Sequence, residues 1–551
     1  MLQSSDAWFA LLLIAASCAA LPLTGSKAFD RGLRAIDSIA SRPSLAIALC
    51  AILSFVGSMA VALTVMWPVP RVHDEFSYLL AADTFASGRV TNPTHPLWQH
   101  FESFHIFQQP TYASKYPPAQ GAMLALGIVL AGDPLVGVWL SGALMCGAIC
   151  WLLYAVVSAR WALLGGLAAT IQIGIATRWT QTYWGGAIAA AGGALVLGGA
   201  IRLVRHARPR DAVVLASGLI VLASSRPFEG AIASVAAMVF VLHAFVKNPS
   251  RIYRALRPAL AMFVVFALGI AAYNHAVVGR WWLLPYVHHD LTYGVPSVVS
   301  FLSSGPADEL RHEEMRQFYG GENTELDAEH EGPVPEEVST ALESGNLRML
   351  NDFFLGRAML LPFLLGLLAA LSKREGRLVF ATTGLGLLTL LGLRFFHLHY
   401  LAPATGAVFG VVTLGLERVD AWQPKGRRLG TAICIATLTA LLFGLAQEIR
   451  RVPDIHTAWG HDFTGPRRAE TVRTLRESPG RDLVIVRYGP NHVPHHEWVY
   501  NDADIDASEI VWARDMGPSE NRRLLEHFRD RRVWIYREGF EEGEDGLIPY
   551  P

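Results

Sequence analysis

The sequence predicts an all-α polytopic membrane protein of about twelve transmembrane helices, with a small soluble α/β domain at its C-terminal end. Three observations carry that prediction. Apolar runs of helical length recur from the N-terminus to residue 446, with short polar links between them. Only 17% of the residues are charged and 52% are hydrophobic, whereas soluble domains carry about a quarter charged residues. Beyond residue 447 the pattern changes to short strand-like runs between charged stretches. Residues 1–446 therefore read as a transmembrane domain and 447–551 as a second domain.

The first apolar run, 7–23, has Asp6 and no Lys or Arg before it, which fits a membrane helix better than a signal peptide. Lys27, Arg31, Arg34 and Arg42 follow as a basic, cytoplasmic link. The next run, 44–67, leads outward and stops at Pro68 and Pro70. It delivers Arg71-Val72-His73-Asp74-Glu75-Phe76-Ser77-Tyr78 to the outer face. Residues 75–88 read as a short helix lying on the membrane, stopped by Gly88. Residues 90–118 form a loop rich in Pro, His and Gln, ending in Lys115-Tyr116-Pro117-Pro118.

Residues 119–131 would span only about 20 Å as a helix, short of the roughly 30 Å hydrocarbon core. Charge parity decides the reading. If this run does not cross, the later basic links 160, 202–210, 247–257, 373–377 and 418–428 all fall on the cytoplasmic side. The remaining spans are then 135–157, 161–177, 184–203, 211–225, 228–246, 258–277, 357–372, 377–393, 398–416 and 429–446. The run 184–203 carries Gly185, Gly186, Gly192, Gly193, Gly198 and Gly199, a face for close helix packing rather than a ligand site.

The outer segments are 68–134, 178–183, 226–227, 278–356, 394–397 and the tail. Residues 279–304 are aromatic and read as resting on the bilayer, and 306–346 as an acidic, solvated loop. In the tail, 482–487, 509–514 and 532–537 read as strands, with a helix over 518–531.

A formal net charge of −1 gives no polyanion-binding signature, so nucleic acid is not an expected partner. All five cysteines (Cys18, Cys50, Cys146, Cys150 and Cys434) fall inside apolar runs, which argues against disulfides and Cys-based zinc sites. Walker, dinucleotide and zincin motifs do not occur.

The outer loop ends collect the candidate chemistry. His73, Asp74, Glu75 and Tyr78 lie in the first loop, with His95, His100, Glu102, His105, Lys115 and Tyr116 further along it. Arg178, Trp179, Gln181 and Tyr183 lie in the second, Arg226 and Glu229 in the third, and Arg394, His397, His399 and Tyr400 in the last. Carboxylates beside a membrane are costly unless used or paired, and a guanidinium fork suits a lipid phosphate. Each feature also has a plainer reading. Single arginines can snorkel at the interface, and Arg226 can pair with Glu229. His397 and His399 at i, i+2 would point to different faces of a helix, which makes a metal pair weak. His288-His289 and His492, His495 and His496 have no clear third ligand.

An outward helix ending in Asp74-Glu75, then Tyr78, then Ala81-Ala82-Asp83-Thr84-Phe85-Ala86-Ser87-Gly88, resembles the GT-C glycosyltransferases. The group most similar is that of the protein O-mannosyltransferases and aminoarabinose transferases. Lys115-Tyr116-Pro117-Pro118 resembles the motif that precedes a juxtamembrane helix in that group. The likeness covers about 44–205 by motif and 206–446 by topology, and leaves the tail out. It implies a polyprenyl-phosphate sugar donor, an acceptor glycan, lipid or protein, and transfer with inversion at the outer face of a bacterial plasma membrane, with the tail outside. Asp74 would be the general base and Glu75 a supporting acid. Lys115, Arg226 or Arg394 would hold the departing phosphate, and His73, Tyr78, Tyr116, Glu229, His397, His399 and Tyr400 would line the substrate. No cofactor is required. A divalent metal, if used, would sit near His73, Asp74 and Glu75. The chain departs from the group at Arg178-Trp179-Thr180-Gln181-Thr182-Tyr183, where an acid is usual, and Glu229 is the residue that would fill that role.

Two readings from other classes compete. One is a transporter or flippase for a lipid-linked or acidic solute, which would show internal repeats and midplane charges. The other is an inactive GT-C scaffold.

Overall fold

The computed structural model describes residues 13–293, 310–319, 344–393, 396–454, 464–493, 495–541 and 543–551. Among these, eight helices are long and apolar enough to cross a bilayer, from Pro43–Thr64 to Leu429–Arg451. The chain is a multi-pass membrane protein. Three other expected spans, Ala159–Ile173, Pro209–Ala223 and Arg374–Leu390, are helices of 15, 15 and 17 residues. They fall short of the roughly 20 residues that cross a membrane unaided. Most of the acidic loop 306–346 lies outside the described residues.

The basic link after the first run is an amphipathic helix, Lys27–Ala40, rather than a loop. Ser26 caps it by accepting the Phe29 N–H, and Ile36 and Ile39 pack on the core. Asp37 pairs with Arg160 at 2.6 Å and Asp30 with Arg428 at 2.9 Å. Those two pairs tie its charged side to the bundle.

The glycine-rich helix Ala187–His206 is a packing element, as expected. A Cβ on Gly193 would lie 1.8 Å from the Pro403 carbonyl oxygen, and one on Gly199 would lie 2.8 Å from the Leu215 nitrogen. Only glycine lets these backbones approach so closely.

The segment 68–134, expected as the first outer loop, is folded. His73–Ala86 is a helix, so His73 and Asp74 belong to its first turn rather than to the strand of chain before it. A small hairpin pairs Ile106–Phe107 (β1) with Ala113–Ser114 (β2). The short run is the 14-residue helix Pro118–Ala131, ended by Gly132 at φ 75°. Its Gly121 abuts Ala81, and its Gly127 lies on the backbone of Gly137. This short helix is thus wedged between the outer-loop helix and the span Pro134–Leu153.

The tail folds as a four-stranded sheet. Its strands are β3 (Asp482–Tyr488), β4 (Ile510–Arg514), β5 (Arg532–Glu538) and β6 (Gly546–Pro549), in the order β4-β3-β5-β6. The first three run parallel and β6 is antiparallel. Helix Pro518–His527 falls in the expected place and ends four residues early. Alternation along the strands gives the sheet two faces. Leu483, Ile485, Val511 and Ala513 pack with Phe76, Leu80, Leu97 and Phe101 of the first outer loop. Val484, Val486 and Trp512 pack with Trp498 and Leu475 on the other face. The tail therefore sits directly on the loop that carries Asp74.

Candidate functional site

Asp74 and Glu75 occupy the first turn of His73–Ala86, where the positive end of the helix dipole favours carboxylates. Their surroundings differ. The Asp74 side chain is 23% exposed. It accepts a short hydrogen bond from the Tyr116 hydroxyl, and its other oxygen lies 3.9 Å from His105 Nε2. Tyr116 in turn stacks on Tyr78 at 4.5 Å. Glu75 is fully buried. It accepts the backbone N–H groups of Arg71 at 2.7 Å, Val72 at 3.1 Å and Tyr183 at 2.9 Å. Burial pushes its carboxyl up to about 7 against those three donors. Glu75 thus locks the helix start to the second outer loop.

Near Asp74 lie several buried imidazoles and one ammonium. His73 Nδ1 bonds the Tyr500 hydroxyl of the tail at 2.7 Å. His105 has positive φ at 60°, and its carbonyl accepts from Ser77 Oγ and the Lys115 N–H. Burial holds His73, His105 and His289 well below the usual imidazole range, and the Lys115 charge adds to this. Lys115 itself is 4% exposed, with its ammonium 5.4 Å from the Tyr116 ring centre and 5.1 Å from that of Tyr286. Burial pushes the Asp290 carboxyl up to about 6.

The third and last loops close the other side. The Arg226 guanidinium lies 3.8 Å from Glu229 and over the Tyr400 ring at 5.5 Å. Burial pushes the Tyr78 phenol up; the Arg226 charge opposes that shift, and the Asp74 and Glu229 charges add to it. His397 and His399 do not diverge. His397 is extended, at φ −135° and ψ 136°, and lies just before the short helix Leu398–Ala404 that contains His399, so the two do not sit on one helix. Their rings stack at 5.1 Å, and both meet Trp184. Arg394 lies outside the described residues.

His73, Asp74 and Glu75 do not converge on a metal position, because His73 Nδ1 faces Tyr500 and the Glu75 oxygens are held by backbone donors. Among the described residues, the group with ligand spacing is His95, Asp506 and His527. Asp506 Oδ1 lies 3.3 Å from His95 Nε2 and 2.7 Å from His527 Nε2. His95 Nδ1 accepts the Leu97 N–H at 2.9 Å. A neutral imidazole has one acceptor nitrogen, so Nε2 carries the proton and donates to Asp506. That hydrogen-bonded arrangement does not fit a metal.

Other polar residues of the loops are structural. Arg514 Nε donates to the Glu102 carbonyl, and the Glu102 carboxylate lies 3.1 Å from His312. His100 bonds the Arg514 carbonyl at 3.0 Å. Gln181 donates to the Ser58 and Ile175 carbonyls. Sequence reasoning missed Tyr500, Tyr286 and Asp290, and treated His289 as an ordinary polar residue. Nothing local marks them, because only the folded chain brings them to Asp74.

No protein-family model matches the chain, and no curated protein matches it in sequence. Solved structures do match. The oligosaccharyltransferase of Archaeoglobus fulgidus, in complex with Zn and sulfate, is similar with a TM-score of 0.50 at 12% identity, over 89% of this chain and 68% of that one. ArnT from Cupriavidus metallidurans in the apo state is similar with a TM-score of 0.50 at 14% identity, over 90% of this chain and 92% of that one. At such identity it is the fold that is shared, and it is the GT-C fold.

Proposed function

We propose that this GT-C-fold chain is a membrane glycosyltransferase, moving a sugar from a polyprenyl-phosphate donor to an acceptor hydroxyl or amine at the outer face of a bacterial plasma membrane. The observation that carries the reading is a partly exposed carboxylate, Asp74, that accepts from the Tyr116 hydroxyl, with the buried Lys115 ammonium 5.4 Å from the centre of that same Tyr116 ring.

Asp74 takes the proton from the acceptor as its oxygen or nitrogen bonds the anomeric carbon. The carbon–oxygen bond to the phosphate breaks, and the electron pair leaves on the polyprenyl phosphate. Lys115 and Arg226 stabilise that growing charge in a site shielded from water. Tyr116 orients the Asp74 carboxylate through its hydroxyl. Glu75, held by three backbone donors, positions the helix and touches no reactant. His73, Tyr78, Glu229, His397, His399 and Tyr400 shape the walls. The tail, seated on the same loop, contributes Tyr500.

The test is release of label from a panel of radiolabelled polyprenyl-phosphate sugars by the purified full-length protein. One donor should be consumed, and Lys115→Met should slow that consumption at fixed donor by about 10- to 100-fold, the worth of a charge-assisted contact. Turnover unaffected by Lys115→Met would overturn the phosphate role.

A further inference from the structure

A cavity of about 490 Å³ lies apart from the residues around Asp74. It belongs to the same face, since Arg71 Nη1, three residues before Asp74, donates to the Pro453 carbonyl beside Arg451 of its wall. Its volume is that of a small-molecule site. Three guanidiniums line it: Arg178, Arg348 and Arg451. Two carboxylates accompany them, Asp352 at 3.7 Å from Arg348 and Glu448 at 3.4 Å from Arg451. Among the described lining residues, cations therefore outnumber anions. Burial brings Arg178 down to about 10, so it stays charged at neutral pH. Gln172 and Thr177 add neutral polar groups, and Ala176, Met349, Phe353 and Leu398 add apolar surface.

One wall is built by a break in the helix. Asn351–Leu355 winds as a single π-helical turn. Gly356 follows at φ 56° and ψ −179°, a conformation open in practice to glycine alone. Gln172 Nε2 holds the turn by donating to the Asp352 and Phe353 carbonyls at 3.0 and 3.1 Å. Such turns and such strain gather at binding sites. Here they place Asp352 and Phe353 side by side on the cavity wall.

We infer that this cavity holds the phosphate head of an amphiphile, with the guanidiniums on the phosphate and the first carbons of the chain on Phe353, Met349 and Leu398. A planar guanidinium fork matches phosphate oxygens, and a wall carrying both guanidiniums and apolar side chains suits a molecule with both. The site uses none of the residues assigned to transfer, so it stands or falls independently of that reading.

The experiment titrates dodecyl phosphate into the full-length protein in neutral-detergent micelles and reads stoichiometry and affinity. Wild type should bind two equivalents, one at Lys115 and Arg226 and one here. Arg348→Gln/Arg451→Gln should weaken one equivalent by about 10-fold or more. Those side chains are 57% and 70% exposed, so the fold tolerates the change. Met349→Trp, which fills the cavity without altering charge, should remove the same equivalent. Lys115→Met should remove only the other one, and its failure to do so counts against the transfer site alone. Both equivalents surviving Arg348→Gln/Arg451→Gln and Met349→Trp would overturn the inference. Inorganic phosphate binding here as tightly as dodecyl phosphate would overturn the amphiphile in favour of a soluble phosphate.

Discussion

Replacing Glu75 by Gln separates an anchoring carboxyl from a reacting one. In the folded protein its carboxyl is pushed up from 4.5 to about 7 by full burial. A raised acid binds more protons folded than unfolded across that interval, so its contribution is complete below about pH 4.5 and falls as pH rises to about 7. At about 1.4 kcal/mol per pH unit, the loss is about 3 kcal/mol. Glu75→Gln removes this titration. It also turns one accepting oxygen into a donor facing backbone N–H groups, costing about 1–3 kcal/mol at every pH. Unfolding free energies of the full-length protein, measured from pH 5 to 8, read both effects. Wild type should lose stability across the window relative to Glu75→Gln, whose offset should shrink as pH rises. Because Asp290 and other groups titrate equally in both proteins, the difference between them isolates Glu75. Parallel curves would refute the assignment of Glu75 as a buried, protonatable anchor.

Tyr116→Phe removes the hydroxyl that orients Asp74, and turnover should fall by about 10-fold with unfolding little changed; unaltered turnover would count against the orienting role. Gly193→Ala drives a Cβ into the Pro403 carbonyl, 1.8 Å away, and should cost about 1–3 kcal/mol or more as the helices separate, read by thermal unfolding. Leu483→Ala, in the sheet face against Phe76 and Leu80, should cost about 2–5 kcal/mol. It should also loosen the first outer loop, read as faster amide exchange over 73–86.

The place of Asp74 was legible because Pro68 and Pro70 end an apolar run just before two acids. The division of labour between those acids was not. We propose Glu75 as an anchor because it accepts the Tyr183 N–H, 108 residues away in sequence, and backbone donors leave no mark on composition. The same holds for Tyr500, 427 residues from His73. Helical reasoning separated His397 from His399, whereas His397 lies outside the short helix that starts at Leu398 and the two rings stack. The helix Lys27–Ala40 was hidden because its basic residues, exposed on one side, read as a link. Strand β6, Gly546-Leu547-Ile548-Pro549, is too short and too near Gly and Pro for a strand signal. The parallel strands were plain, since buried runs such as Leu483-Val484-Ile485-Val486 have few other uses.

The most direct test compares wild type with Asp74→Asn for sugar transfer from the donor that wild type consumes. Asp74→Asn keeps the size of the side chain and removes its basicity. Transfer should fall by about 10²- to 10⁴-fold, the worth of a positioned general base, with the unfolding temperature unchanged. Transfer by a folded Asp74→Asn protein at the wild-type rate would contradict the account.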